Sequence, residues 1–319
     1  MRSDERVRRA IEFGQPDRIP LAKGPDADIG YVGFRVADGF VAERAGADEW
    51  GCVRVSLRPE EGDQGQVREH PLADWARAAS YRFPDAHMPG RFADAHQAVS
   101  ALRATHRFVL GSLGMGPMHC LDHLRGFEAY LEDLLLAPER TVFLLDGIFG
   151  FLTGLVEEYA GLGADGVLLY DDQAMQSGPV FAMPLWDEHF APRYRKLFAL
   201  AHGRGLKVFM HTCGHLGQHL ARLAAAGVDA IDNKQPDLWM DEPAVDAVRG
   251  KVAFSTCVDI QRKLGRIPEQ EIAAEVDRLV RRLATRDGGF IGTFYHQQDL
   301  AIPATRTAAM LEAFETFRW

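Results

Sequence analysis

The chain has 319 residues, 47% hydrophobic and 25% charged, a balance that excludes disorder, collagen-like repeats and coiled coil. Its 36 basic and 45 acidic residues leave a net charge of −9. That excludes a phosphate-backbone binder, because nucleic-acid affinity is driven by cations; a small-molecule substrate is the expected ligand.

Residues 1–20 are charged and helix-like, with no apolar core followed by a cleavage site, so no secretion signal is expected there. Residues 18–21 read as a first strand. Residues 50–84 are less regular: a β-like start at 51–57 and a glycine-bearing turn at 61–65 predict a hairpin and a long loop. A second strand is expected at 106–110. The longest apolar run, 142–156, is interrupted by Asp146 and is too short to span a bilayer. Cys52, Cys120, Cys213 and Cys257 lie far apart with no CxxC pair, which speaks against a disulfide scaffold. The expectation is a cytoplasmic, reduced protein without a membrane partner.

The second half alternates short apolar runs with amphipathic stretches. Strands are predicted at 166–170, 207–210, 228–231, 252–254 and 290–292. Helices are predicted at 186–204, 216–225, 241–248, 268–286 and 304–317. Near-continuous apolar strands separated by helices indicate parallel pairing under a helical outer layer. The predicted fold is α/β, one (β/α)8 TIM-type barrel over 1–319 with an N-terminal elaboration. Chemically capable residues recur where those strands end: Asp171 and Asp172, His211 and Cys213, Asp232 and Asn233, Cys257 and Asp259, and His296. In a parallel barrel these ends meet at one mouth, where active sites form.

His211-Thr212-Cys213 is the sharpest signal. At a strand end, residues two apart face the same way, so an imidazole and a thiol can reach one ion, and an N/S pair suits zinc. The plainer explanation is a core histidine bonded to a carbonyl beside an inert buried cysteine. Cys120, Cys257 and His296 are the candidates for a third ligand. His215 and His219 lack the glutamate of a zinc-protease helix and read as helix-face residues. Of the adjacent acids only one can face the mouth; it could exchange protons if burial raises its pKa.

Several stretches then point beyond spacing: RRAIEFGQPDRIPL at the start, DEWGCV and HPLADW within 48–75, LRGFEAYLEDLLLAPE at 124–139, GADGVLLYDDQAMQSGP, HTCGHLGQHLARLAAAGVDAIDNKQP, CVDIQ and GGFIGTFYHQQDLAIP. In order and spacing the chain resembles the uroporphyrinogen decarboxylase superfamily, and within it the cobalamin-linked methyltransferases. The resemblance implies a distorted (β/α)8 barrel. Porphyrinogen decarboxylation is not expected, because LAKGPDADIGYVGF lacks the arginine pattern of that enzyme. For the methyltransferase branch it implies zinc on His211, Cys213 and a C-terminal cysteine, at whose place this sequence has His296. With one thiolate the unit would keep a formal charge of about +1, a stronger Lewis acid suited to polarising an ether oxygen. The expected activity is methyl transfer between a small methoxy or methylamine-type substrate and a corrinoid such as methylcobalamin, carried on a partner protein; thiol methylation is the runner-up. A metal-assisted decarboxylase or lyase on a small acid, with Asp172 as proton donor, is the alternative, and a non-catalytic corrinoid-docking subunit the third. Relatives that are dimers imply a homodimer. Asp172 and His211 are the expected catalytic residues. Asp171, Asn233, Gln235, Asp259 and Gln261 are the expected substrate contacts, with Asp172 favoured over Asp171. Tyr170 and Phe294 read as wall or core, and Met115, Met118 and Met210 as packing.

Overall fold

A computed structural model describes residues 1–56, 65–295 and 300–319. The chain opens with α1 (Ser3–Ile11) and β1 (Ile29–Val32), followed by an antiparallel hairpin of β2 (Val53–Val55) and β3 (Gln66–Glu69). Next come α2 (Ala95–Ala104), β4 (Phe108–Met115), α3 (Pro117–Arg125), α4 (Phe127–Leu136) and α5 (Pro138–Leu162). After β5 (Gly166–Tyr170) a short hairpin, β6 (Ala174–Met175) and β7 (Gly178–Pro179), precedes α6 (Met183–His189) and α7 (Ala191–Gly203). The remainder alternates: β8 (Lys207–His211), α8 (Leu220–Ala226), β9 (Ala230–Asp232), α9 (Ala244–Val248), β10 (Ala253–Thr256), α10 (Ile272–Leu283), β11 (Phe290–Gly292) and α11 (Ala304–Thr316).

Among the described residues, seven strands form one parallel sheet in the order β1-β4-β5-β8-β9-β10-β11. Residues 20–22 lie against the free side of β11. Leu21 bridges Gly292 in parallel, Ala22 N donates to Gly292 O at 2.8 Å, and Gly292 N donates to Pro20 O at 2.9 Å. Asp28 N donates to Leu21 O at 2.7 Å, which ties this segment to the approach to β1. The sheet thus curls into a distorted barrel in which one stave is a single bridge. Pro20 has no N–H to lengthen that ladder. The strand predicted at 18–21 is therefore only this bridge, and β1 at 29–32 is the full strand that was not anticipated.

Side-chain alternation sorts the strands. One buried cluster joins Ile29, Phe108, Leu110, Leu168, Phe209, Ala230, Ala253 and Ile291 with Val7, Ala10 and Ile11 of α1. These side chains fill the barrel interior, and α1 seals it. The intervening residues, among them Val109, Val167, Leu169, Val208, Met210, Ile231 and Phe254, belong to the larger cluster under the helices. On α10, Ile272, Val276, Leu279, Val280 and Leu283 are each at most 2% exposed. Their three-and-four spacing is the apolar stripe that docks a helix, at about 1.5–3 kcal/mol per fully buried side chain.

The hairpin predicted near 51–65 is present as β2 and β3; its turn lies outside the described residues. The helix expected at 186–204 is two helices, because Pro192 in the first turn of α7 starts a new helix rather than continuing one. Among the described residues no helix is long and apolar enough to cross a membrane.

Candidate functional site

The interior parity of each strand continues past its last residue and selects what faces the mouth. From Leu168 it runs to Tyr170 and Asp172, from Phe209 to His211 and Cys213, from Ala230 to Asp232 and Lys234, and from Ile29 to Tyr31. Register sets them side by side: Tyr170 pairs with His211, and His211 with Asp232. The rings of Tyr170 and His211 are 5.5 Å apart.

Asp172, His211 and Cys213 converge. One ligand-grade atom from each lies within 4.8 Å of the others. Nε2 of His211 is 3.6 Å from Sγ of Cys213, and Cys213 N donates to Oδ1 of Asp172 at 2.7 Å. Nδ1 of His211 faces Oδ2 of Asp232 at 3.6 Å, the carboxylate–histidine arrangement that turns the other ring nitrogen outward. Asp232 is in turn paired with the Lys234 ammonium. Against burial, Lys234 and then His211 hold the Asp232 carboxyl well below its usual range. Gly214 permits the turn after Cys213: its φ is +83°, and a Cβ there would meet Ala174 O at 2.2 Å.

His119, on the first turn of α3, completes the rim. Its Nε2 lies 3.6 Å from Oδ2 of Asp172, and its Nδ1 3.6 Å from Oδ1 of Asp171. Burial opposes its charge, but the two carboxylates outweigh that and push its pKa up to about 10. Asp172 moves the other way. Burial alone would raise it, as the sequence suggested, yet the His119 imidazolium 3.6 Å away and the hydrogen bond from Cys213 N bring it down to about 2. It is a carboxylate at neutral pH and holds no proton to donate. Burial, with Asp172 adding to it, pushes the Cys213 thiol up to about 12.

The donor set fits a divalent ion. Tetrahedral zinc with bonds of about 2.0–2.1 Å to nitrogen and about 2.3 Å to sulfur separates those ligands by about 3.6 Å, the His211–Cys213 spacing. Among the described residues neither Cys120 nor Cys257 joins the group; both are buried. His296 lies outside the described residues. Asp172, expected as a catalytic residue and as the proton donor of the lyase alternative, stands beside His211 and Cys213 within ligand distance, because the parity that exposes Tyr170 also exposes the residue two beyond it.

The other expected contacts are placed differently. Asp171 is fully buried: it accepts from Met118 N at 2.9 Å and His119 N at 3.3 Å, and from Gln173 Nε2 at 2.8 Å and the Tyr194 hydroxyl. Its carboxylate caps α3 and is spent within the scaffold rather than offered to a substrate. Asn233, also fully buried, donates to Thr212 O at 2.7 Å and accepts from Gln235 N at 2.6 Å and Trp239 Nε1 at 3.2 Å. Gln235 Oε1 accepts from Gly214 N at 2.7 Å. Both hold the 212–214 turn. Asp259 Oδ1 caps the turn at Gln261 N and Arg262 N, while its Oδ2 is buried with no hydrogen-bond partner among the described residues. Gln261 is exposed and accepts from Gln176 Nε2 at 2.8 Å, linking the β6–β7 hairpin to the loop after β10. Residues 171 and 233 have the parity of the outer layer, whereas Asp232 and Lys234 have that of the mouth. Continuing the apolar alternation into the polar strand ends would have found both.

Fold and site together define a parallel barrel with metal-ligand chemistry at its strand ends. A family model described as Uroporphyrinogen decarboxylase (URO-D) matches residues 47–317, and the chain belongs to that family. No curated protein matches it. Among solved structures, a methyltransferase from Methanosarcina mazei is similar over 98% of this chain and 98% of its own, with a TM-score of 0.71 and 13% identity, a likeness of fold. D-psicose 3-epimerase in the presence of D-fructose is more distant, with a TM-score of 0.44 and 12% identity over 75% of this chain and 84% of that one. A glycosylated endo-beta-1,4-xylanase from Gloeophyllum trabeum has the same TM-score and identity over 73% and 83%.

Proposed function

We propose that this chain is a zinc-dependent methyltransferase that moves a methyl group between a small methoxy or methylamine-type substrate and a corrinoid on a partner protein. The observation that carries the reading is the convergence of Asp172, His211 and Cys213 at the barrel mouth, in a member of this family whose fold is similar to that of a methyltransferase. When bound, the ion would supply Lewis acidity toward the substrate's oxygen or nitrogen. Two anionic donors and one neutral imidazole would bring a divalent ion to a formal charge of zero, one unit below the expectation for His211, Cys213 and His296.

The surrounding residues have separate tasks. Asp232 orients the His211 ring through Nδ1. His119 keeps Asp172 ionised and available as a ligand. Tyr31 and Tyr170, 40% and 37% exposed, wall the mouth with rings. The ionised state of Asp172 weighs against the lyase alternative, which needs that residue to deliver a proton. The test is metal content together with visible absorbance of cobalamin across a panel of methoxy and methylamine compounds. Stoichiometric zinc and conversion of cob(I)alamin to methylcobalamin are expected. A zinc-loaded protein that moves no methyl group in either direction, yet releases carbon dioxide from a small acid, would overturn the proposal.

A further inference from the structure

Lys234, two residues past the end of β9, is 3% exposed, and the ligand cluster by itself gives no reason to bury an ammonium there. It continues the interior parity of Ala230 and Asp232, so its side chain starts on the same face as Asp232 and folds back onto it. Asp232 is its one side-chain partner among the described residues. The backbone on either side is held as well: Ile260 N, in the loop after β10, donates to Lys234 O at 3.2 Å, and Gln235 N donates to Asn233 Oδ1 at 2.6 Å. A buried ion pair is a weak source of stability, because desolvation of the two charges offsets their attraction, and apolar residues of similar volume often serve a fold as well. What this pair does is fix a carboxylate. With Oδ1 of Asp232 on the ammonium, Oδ2 lies 3.6 Å from Nδ1 of His211. On the far side of that ring, Nε2 lies 3.6 Å from Sγ of Cys213. Register sets Asp232 directly beside His211, so the way the aspartate turns decides whether the ring has a partner at Nδ1.

We infer that Lys234 is a positioning residue for the metal site: by holding Asp232 against His211, it sets the tautomer and orientation of that ring and so makes Nε2 available as a ligand. A neutral imidazole carries its proton on one nitrogen, and the hydrogen bond made there selects which one. With the proton on Nδ1, facing Asp232, the lone pair of Nε2 is free on the side of Cys213. A ring without that partner shares the proton with Nε2 and blocks the ligand atom. The inference rests on the cluster being the ligand site, as in the proposed function, but not on methyl transfer itself.

The test is a double-mutant cycle on the full chain with Lys234→Met and Asp232→Ala, read in two ways. In the metal-free wild type at pH 8, nitrogen NMR of the histidine rings should find His211 as the Nδ1–H tautomer, and each single variant should shift it toward Nε2–H. Zinc affinity, measured by competition with a chromophoric chelator, should fall about tenfold in Lys234→Met, and Lys234→Met should have no further effect in the Asp232→Ala background. Lys234→Gln, polar but uncharged, should behave as Lys234→Met and replaces it if that variant does not fold. An unchanged His211 tautomer, wild-type zinc affinity in Lys234→Met, or the same fold-loss in the Asp232→Ala background would overturn the inference; the last is the behaviour of a lysine that serves only the scaffold. A protein that takes up no zinc would refute the proposed function, and the tautomer would then decide this inference alone.

Discussion

Asp171 and Asp172 are adjacent, yet the fold assigns them opposite work, and substituting each should give opposite results. Asp171→Ala removes the acceptor for Met118 N, His119 N, Gln173 Nε2 and the Tyr194 hydroxyl in a fully buried place. A buried donor left without a partner costs about 1–3 kcal/mol. Allowing for relaxation and for the tyrosine hydroxyl turning to another acceptor, the net loss should be about 4 kcal/mol. At about 2.1 cal/mol/K of unfolding entropy per residue, a chain of 319 residues loses roughly 6 °C of melting temperature. Asp172→Asn touches a carboxylate that is 39% exposed, so its melting temperature should fall by no more than about 2 °C. Its metal affinity should fall sharply. Both melts should be followed by circular dichroism on chelator-treated protein, so that metal loss does not itself alter stability. A wild-type melting temperature for Asp171→Ala, with several degrees lost in Asp172→Asn, would refute the assignment.

Three further outcomes follow from the same geometry. Asp232→Asn should lower zinc affinity about 10–100-fold by freeing the His211 ring, read by competition with a chromophoric chelator. Because burial holds Cys213 as a thiol up to about 12, zinc binding must displace its proton. Affinity should therefore rise about tenfold per pH unit between pH 7 and 8 in wild type, and lose that dependence in Cys213→Ala. In the metal-free protein the His119–Asp172 pair contributes stability between the two folded-state values, about 2 and about 10. The histidine part is full below its unfolded pKa and lost as pH rises through about 10; the carboxylate part is lost as pH falls through about 2. An NMR titration should find the His119 imidazole still protonated at pH 8, with its pKa lowered in an Asp172→Asn variant, where Asp171 alone still holds the charge.

Much of this was visible in the residues. Apolar runs at 166–170 and 290–292 coincide with β5 and β11, since strands buried on both faces must be apolar throughout. The His211–Cys213 pair was found because two-residue spacing on a strand means a shared face. Other features were hidden because tertiary partners decide them. The weak stave at 20–22 exists only against β11. His119 belongs to a helix that reaches the mouth by way of Asp171. Asn233 and Gln235 looked like substrate contacts because they are polar and follow a strand; parity and burial give them to the turn that carries Cys213.

X-ray absorption at the zinc edge of the purified protein bears most directly on the ligand cluster. The account predicts one sulfur scatterer at about 2.3 Å, with the remaining ligands nitrogen or oxygen near about 2.0–2.2 Å, and loss of that sulfur in Cys213→Ala. Two sulfurs, or none, would contradict it.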